Sequence, residues 1–387
     1  MDLLNMVVGG TGSVLLAVVS FLVVLTVVVF VHEFGHFWVG RLCGVGVQAF
    51  SIGFGRELVG WTDRHGTRWK ISAIPLGGYV KFVGDANAAS MPDRDALGHL
   101  TQEQRELSFP HKSVAKRAAI VAAGPIANFL LAIAILTGLA YFNGRYVLEP
   151  RVHVVQPGSA AERAGLRPQD LVLSINGRTV ESFLDVQRMV SGNAGETLTI
   201  VVDRGGRTET LQAVPDLVVD ATPFGKQRIG RLGVQPSLDR NAVKLVHYSP
   251  WGALKAGVFD TWYVIERTID VVGKLITGRE SADQLSGPLG IAWVSGEVAS
   301  QNGAGGLISL VALISISIGL INLFPIPILD GGHLLFYAVE AVRGRPLSER
   351  AQEIGYRIGF AVVVMLMIFS TWNDILRFIE PFLAPGT

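Results

Sequence analysis

The sequence HEFGH at residues 32–36 ends an apolar run, residues 6–31, that contains no charged side chain. In a helix, residues four positions apart lie on one face, so the two imidazoles can approach a single metal ion. Glu33 lies beside them as a candidate general base for a water molecule. The alternative is a polar cluster that ends a membrane span at the lipid–water interface. The motif therefore predicts a membrane helix and favours a water-activating metal site at its end.

The composition also indicates an integral membrane protein. Of the 387 residues, 49% are apolar and only 17% are charged, and the mean hydropathy is +0.41, whereas ordinary soluble domains carry about 25% charged residues. The net charge of +1, without a basic patch interleaved with aromatic residues, argues against a nucleic-acid partner. Cys43 is the only cysteine, which excludes an internal disulfide. No basic residue precedes the first apolar run, so we expect that run to be retained as a span.

Four segments are apolar enough to be predicted as membrane spans, at about residues 10–38, 118–144, 298–329 and 358–373. The loop after the first span and the loop after the third are richer in Lys and Arg than either terminus. By the positive-inside rule, both termini and the long segment between spans two and three are predicted to be external. Residues 251–278 are apolar at helical spacing but carry six charges, which predicts an amphipathic helix on the external domain or at the membrane surface.

A second motif, NLFPIPILDGGH at residues 322–333, offers a third metal ligand. Its prolines break the helix, and irregular backbone is tolerated at membrane depth only where protein or a wet cavity surrounds it. A carboxylate there needs a partner, so Asp330 is the candidate ligand. Zinc hydrolases take three protein ligands and leave the fourth position for water. The alternatives are His333 as the ligand, or Asp330 as the N-cap of the helix that follows.

These two motifs, together with GPIAN at residues 124–128, IPLGGYVKF at residues 74–82 and SGPLGIA at residues 286–292, resemble the site-2 protease family of intramembrane zinc metalloproteases, in its bacterial RseP-like branch. The resemblance implies that His32, His36 and Asp330 bind Zn²⁺ and that Glu33 is the catalytic acid and base. It also implies that Asn322 and Asn128 engage the substrate backbone or the reacting oxygen, which a side-chain amide can stabilise in a dry site. The alternative for both amides is hydrogen bonding between helices.

Residues 68–84 alternate in polarity and contain two adjacent glycines, which predicts a membrane-associated β-hairpin between spans one and two. In the resembled family this segment offers an edge strand that holds the substrate extended. Gly78 and Tyr79 are therefore candidate substrate-binding residues, because strand addition acts through the backbone of such an edge. An ordinary amphipathic hairpin on the cytoplasmic surface is the alternative.

Residues 145–220 resemble a PDZ-like α+β domain inserted between spans two and three, with one such domain where some members of the branch carry two in tandem. Strands are predicted at Val152–Val155, Leu171–Ile175, residues 198–203 and residues 208–213, with a short helix inside residues 157–165. Such a domain could bind an extended peptide by strand addition, or could only block access to the site.

The predicted fold is thus an α-helical membrane protein with about four transmembrane helices, a membrane-associated β-hairpin and an inserted external PDZ-like domain. Its expected parts are a first membrane part (1–144), the PDZ-like domain (145–220), a connector (221–297) and a second membrane part (298–387). The resemblance implies a zinc endopeptidase of a bacterial inner membrane that acts within the lipid bilayer. Its implied substrate is a single-span transmembrane protein, such as an anti-sigma factor already shortened by another protease, or a remnant signal peptide.

Two rival interpretations belong to other classes. A membrane scaffold that only binds peptides is disfavoured by Glu33, because a purely structural zinc site fills its fourth position and needs no base. A metal transporter is disfavoured because spans two and four offer almost no polar residues to form a path.

Overall fold

The computed structural model describes residues 2–85, 101–222, 225–236, 243–278 and 285–383. The chain divides into two compact units. The first unit comprises Met1–Leu136, Gly257–Thr268 and Ser286–Thr387, and the second comprises Thr137–Ala256 and Ile269–Leu285. The predicted site residues all belong to the first unit.

The described helices, in chain order, are α1 (Asp2–Leu42), α2 (Gln102–Leu107), α3 (Val114–Phe142), α4 (Ala160–Arg163), α5 (Phe183–Ser191), α6 (Pro250–Ile276), α7 (Pro288–Asn322), α8 (Asp330–Arg343) and α9 (Glu349–Leu383). The described strands are β1 (Val47–Thr62), β2 (Arg68–Phe82), β3 (Arg145–Leu148), β4 (Val152–Val155), β5 (Leu171–Ile175), β6 (Arg178–Thr179), β7 (Leu198–Arg204), β8 (Arg207–Ala213), β9 (Asp216–Thr222), β10 (Gly225–Arg231), β11 (Val234–Pro236) and β12 (Val243–Val246).

Four helices, α1, α3, α7 and α9, are long and apolar enough to cross a membrane. The predicted number of spans is therefore confirmed. The bounds of the third span were wrong, because α7 begins ten residues before residue 298 and ends at Asn322 rather than at 329. Pro325 and Pro327 force residues 323–329 out of the helix, since a helix interior loses a hydrogen bond at each proline. At the other end, the predicted span begins after the charged Glu297, whereas α7 includes this residue.

The first unit also contains a sheet made by β1 and β2. Residues 49–52 of β1 are paired on both sides. On one side their partners are residues 78–81, and on the other side their partners are residues 68–71. Residues 78–82 of β2 pair only with β1 in the described part of the chain, so they form an edge of the sheet. This edge matters because it lies against α1, where an added Cβ on Gly78 would come within 3.1 Å of Glu33 Cγ.

The predicted hairpin at residues 68–84 needs a correction. That segment holds the single strand β2, and its partner β1 precedes it in the chain. The adjacent glycines lie within β2, where Gly77 has a φ of 131° and bends the strand, instead of forming the hairpin turn. The turn is at residues 63–67, closed by a 2.9 Å hydrogen bond from the Asp63 N–H to the Thr67 carbonyl.

An ion pair fixes this turn to the end of α1. Arg41 Nη2 donates to Asp63 Oδ2 at 2.6 Å and to Thr67 Oγ1 at 2.8 Å, and Trp69 Nε1 donates to the same carboxylate. Burial raises the pKa of Asp63, but hydrogen bonds from Trp69, from the Thr67 and His65 backbone and from Arg41 outweigh it and lower the pKa to about 2. Asp63 is therefore ionised at neutral pH, and the sheet is held to the helix that carries the HEFGH motif.

The second unit contains small sheets and short helices. A four-stranded sheet has the order β6-β5-β7-β8, and three further pairs are β9 with β10, β4 with β11 and β3 with β12. The predicted strands β4, β5, β7 and β8 and the predicted short helix α4 are confirmed. Helix α5 was not predicted, although Ser182 and Asp185 form a capping box that marks its start.

Candidate metal centre

Two consecutive turns of α1 place His32 and His36 on one face. Their Nε2 atoms lie 3.2 Å apart. Asp330, the first residue of α8, brings its Oδ2 to 3.1 Å from His32 Nε2 and 3.5 Å from His36 Nε2. The three predicted ligands therefore converge, although Asp330 follows His36 by 294 residues in the chain.

The geometry of these three atoms fits a zinc ion. Bonds of about 2.0–2.1 Å in a tetrahedral arrangement place two ligand atoms roughly 3.3 Å apart, close to the three distances here. Asp330 Oδ2 is buried and has no hydrogen-bond partner within the described ranges. Such an orphaned oxygen beside two imidazole nitrogens calls for a cation. Two imidazoles and one carboxylate, with a fourth position left for water, are a ligand set of catalytic zinc sites.

The backbone before Asp330 is tightly constrained. Ile328 has a φ of 109°, which a β-branched residue rarely adopts. A Cβ on Gly331 would overlap the carbonyls of Leu323 and Phe324, and a Cβ on Gly359 of α9 would overlap the carbonyl of Pro327. The two glycines therefore allow the loop to lie against both α8 and α9.

The two alternatives for Asp330 find no support in this geometry. Asp330 is the first residue inside α8, and the N-cap is Leu329. His333, the rival ligand, is buried with its Nδ1 3.5 Å from the Tyr356 hydroxyl, and it is not part of the converging group.

Helix α3 contacts both histidines through one face. His36 Nδ1 lies 2.9 Å from the Ile120 carbonyl, and His32 Nδ1 lies 3.2 Å from Asn128 Nδ2. Between them, a Cβ on Gly124 would overlap the His36 ring. Positions 120, 124 and 128 share a helix face, so this stripe of α3 supports the two imidazoles.

The side chain of Glu33 lies on the face of α1 that packs against the sheet edge. Its carboxylate accepts a hydrogen bond from the Val80 N–H. Gly78, two residues earlier and in the same outward register, packs on Val29 and Glu33. The general-base candidate and the proposed substrate edge are therefore neighbours.

The remaining predicted residues lie differently. The Tyr79 ring stacks on Phe54, with ring centroids 6.1 Å apart, and Tyr79 is not part of the converging ligand group. Asn322 is the last residue of α7 and is half-buried, and its side chain has no hydrogen-bond partner within the ranges that the structure covers.

Three contributors were not given a role by the sequence: the Ile120 carbonyl, the Val80 N–H and the close approach at Gly124. The first two are backbone groups, which no side-chain pattern reveals. Gly124 did have a signal, because a glycine four residues before Asn128 on one helix face marks a place where another element can come close.

A largely buried His-His-Asp triangle beside a glutamate, among helices that can span a membrane, defines a metal-dependent hydrolase of the membrane. Comparison with known proteins gives the family: residues 20–366 match Peptidase family M50. The chain belongs to this family, the site-2 proteases. It is a zinc metalloprotease and a membrane protein, as the resemblance implied.

Three relatives that match this chain over nearly their whole length have names that agree with this family. "Putative zinc metalloprotease Atu1380" of Agrobacterium fabrum is 47% identical over 96% of this chain and 99% of its own length. "Putative zinc metalloprotease mll0638" of Mesorhizobium japonicum is 51% identical over 92% and 98%. "Metalloprotease MmpA" of Caulobacter vibrioides is 40% identical over 94% and 96%.

Proposed function

We propose that this metalloprotease hydrolyses a peptide bond within or near the transmembrane helix of a single-span membrane protein. The observation that carries the proposal is the position of the ligand triangle: His32 and His36 lie in the last turns of an apolar helix, and Asp330 follows another. A site carried by such helices lies at membrane depth, where a substrate segment within the membrane reaches it more readily than a soluble substrate does.

The residues divide the chemistry between them. His32, His36 and Asp330 would hold the zinc ion, which when bound would acidify a water molecule and polarise the scissile carbonyl. Glu33 accepts the proton of that water and later gives it to the departing amine nitrogen. Of the two amides that the resemblance assigns to the substrate, the half-buried Asn322 has no described hydrogen-bond partner and is the one proposed to act on it, whereas the amide of Asn128 contacts His32.

Substrate presentation follows from the edge of the sheet. A peptide bond within a helix is inaccessible while its carbonyl is hydrogen-bonded, so the substrate has to be extended before cleavage. Among the residues that the structure describes, residues 78–82 are paired on one side only, and the outward N–H of Val80 already points at Glu33. Strand addition at Gly78 and Tyr79 would lay the extended segment beside the catalytic carboxylate.

The test uses purified protein in lipid vesicles with two single-span substrates that differ only near the cleavage point. One carries an uninterrupted leucine-rich helix, and the other has a Gly-Pro pair that weakens the helix there. We expect faster cleavage of the weakened substrate, by about tenfold or more if unwinding costs roughly 1.4 kcal/mol or more. Equal rates would contradict presentation as an extended strand, and cleavage of soluble peptides alone would contradict the proposed substrate class.

We further propose that the substrate is a membrane-tethered anti-sigma factor already shortened by another protease, or a remnant signal peptide, and that residues 145–220 form an external PDZ-like domain that screens it. Support comes from a cavity of about 540 Å³ in the second unit, between α5 and residues 229–236. Val186 and Val190 line one side of it, and the short strand β11, which pairs with β4, lines the other. A groove beside a strand suits an extended chain end.

Screening is tested by comparing a shortened substrate with one that keeps its external domain. We expect the protein to cleave the shortened form faster, and Gln187→Trp, at an exposed position of the groove lining, to weaken binding of a peptide that ends like the shortened form, as followed by fluorescence anisotropy. The Leu184→Trp control changes an exposed residue of the same helix outside the groove lining. The alternative is that the domain only blocks access. In that case the peptide would not bind to the wild-type protein, and removal of the domain would speed cleavage of the substrate that keeps its external domain.

A further inference from the structure

We infer that Asn128 is a positioning residue that sets the tautomer of His32 for zinc binding. The inference rests on the zinc site of the proposed function. Asn128 is completely buried in α3, and its side-chain amide lies 3.2 Å from His32 Nδ1. The other ring nitrogen, His32 Nε2, is the one that faces His36 and Asp330. The amide is therefore placed behind the ligand and touches the nitrogen that does not face the metal position.

The chemistry of imidazole decides what this contact has to be. A neutral imidazole that binds a metal through Nε2 carries its proton on Nδ1, and that N–H needs an acceptor when it is buried. Asn128 Oδ1 is buried and has no hydrogen-bond partner in the described part of the chain. A rotation of the amide by about 180° exchanges its oxygen and nitrogen, so that Oδ1 accepts from the Nδ1–H of His32.

His36 provides an independent parallel on the same helix. Its Nδ1 lies 2.9 Å from the carbonyl of Ile120, an atom that can only accept, so Nδ1 carries the proton and Nε2 is left for the metal. Ile120 and Asn128 share one face of α3, with Gly124 between them. Helix α3 thus supplies one acceptor to each histidine ligand, a backbone oxygen to His36 and a side-chain oxygen to His32.

If Asn128 had a purely structural role, it would serve only to hold α3 against α7. The same region has a contact that does only this: Ser315 Oγ donates to the Asn128 backbone carbonyl at 2.9 Å, buried between the two helices. Ser315→Ala removes this interhelical hydrogen bond and leaves the amide of Asn128 on His32. It is therefore the matched control for helix packing without a change at the ligand.

The experiment measures metal binding by the full-length protein in detergent, with Co²⁺ as the probe and its visible d–d absorption as the readout, followed by competition with Zn²⁺. We expect Asn128→Leu, which is similar in size and cannot accept a hydrogen bond, to weaken binding by about 10–100-fold. Asn128→Asp keeps an acceptor for the Nδ1–H and is expected to bind Co²⁺ at least as tightly as wild type. Ser315→Ala is expected to match wild type in affinity and spectrum.

Equal affinity of Asn128→Leu and wild type would overturn the inference, as would equal losses in Asn128→Leu and Ser315→Ala. If Asn128→Leu fails to fold, as judged by thermal unfolding, Asn128→Asp decides alone: wild-type or tighter binding supports the role, and a tenfold loss overturns it. Failure of the metal site itself is recognised separately, because then His32→Ala would bind Co²⁺ as wild type does.

Discussion

Replacement of Glu33 by glutamine is expected to lower the rate of substrate cleavage by about 10²–10⁴-fold, the range that a positioned general acid and base contributes. The amide cannot accept the proton of the attacking water, although it is nearly the same size as the carboxylate. Zinc binding is expected to stay at the wild-type level, because the converging ligand atoms belong to His32, His36 and Asp330. The two measurements are cleavage of the vesicle substrate and zinc per protein by atomic emission.

The control for this change is Glu297→Gln, which makes the same substitution at an exposed position of α7. It is expected to leave both the rate and the zinc content unchanged. Wild-type cleavage by the Glu33→Gln protein would remove Glu33 from the mechanism. Loss of zinc in that protein would instead indicate that Glu33 contributes to the metal site.

Replacement of Asp330 by asparagine is expected to weaken zinc binding and to reduce cleavage in parallel. Asp330 Oδ2 is the atom that closes the ligand triangle, at 3.1 and 3.5 Å from the two imidazoles. A neutral amide is a poorer ligand for Zn²⁺ and does not balance its charge. We expect a loss of affinity larger than the roughly 10–100-fold caused by changes behind the ligands. Zinc titration against a chelator measures it.

The informative partner of that variant is His333→Gln, since His333 was the rival ligand. It is expected to retain zinc, because its imidazole lies next to Tyr356 and outside the ligand group. If Asp330→Asn kept full metal and wild-type turnover while His333→Gln lost both, the third ligand would be His333.

The parts of this site that follow local rules could be read from the sequence. His32 and His36 are four residues apart in an apolar helix, and helical geometry alone puts them together. Asp330 was predicted because a carboxylate at membrane depth needs a partner and prolines break the helix before it. Both arguments depend on short stretches of chain.

The features that could not be predicted from the sequence depend on pairing between distant segments. The hairpin was placed within residues 68–84 because two glycines suggested a turn, whereas the partner strand lies before it and the glycines bend a strand. Likewise, the choice between substrate contact and helix packing for Asn128 depends on how α3 approaches α1. That approach is set by Gly35, whose added Cβ would overlap the Ala123 carbonyl, and by Gly124.

Because Gly359 lies close to Pro327, the last span contacts the loop that carries Asp330, which its composition does not suggest. Helix α9 contributes no atom to the converging ligand group, yet the carbonyl of Pro327 fits against it only because position 359 lacks a side chain. The loop that presents Asp330 therefore packs against a helix that follows all the catalytic motifs in the chain. A chain that ended before α9 would keep all three ligand residues and lose this contact.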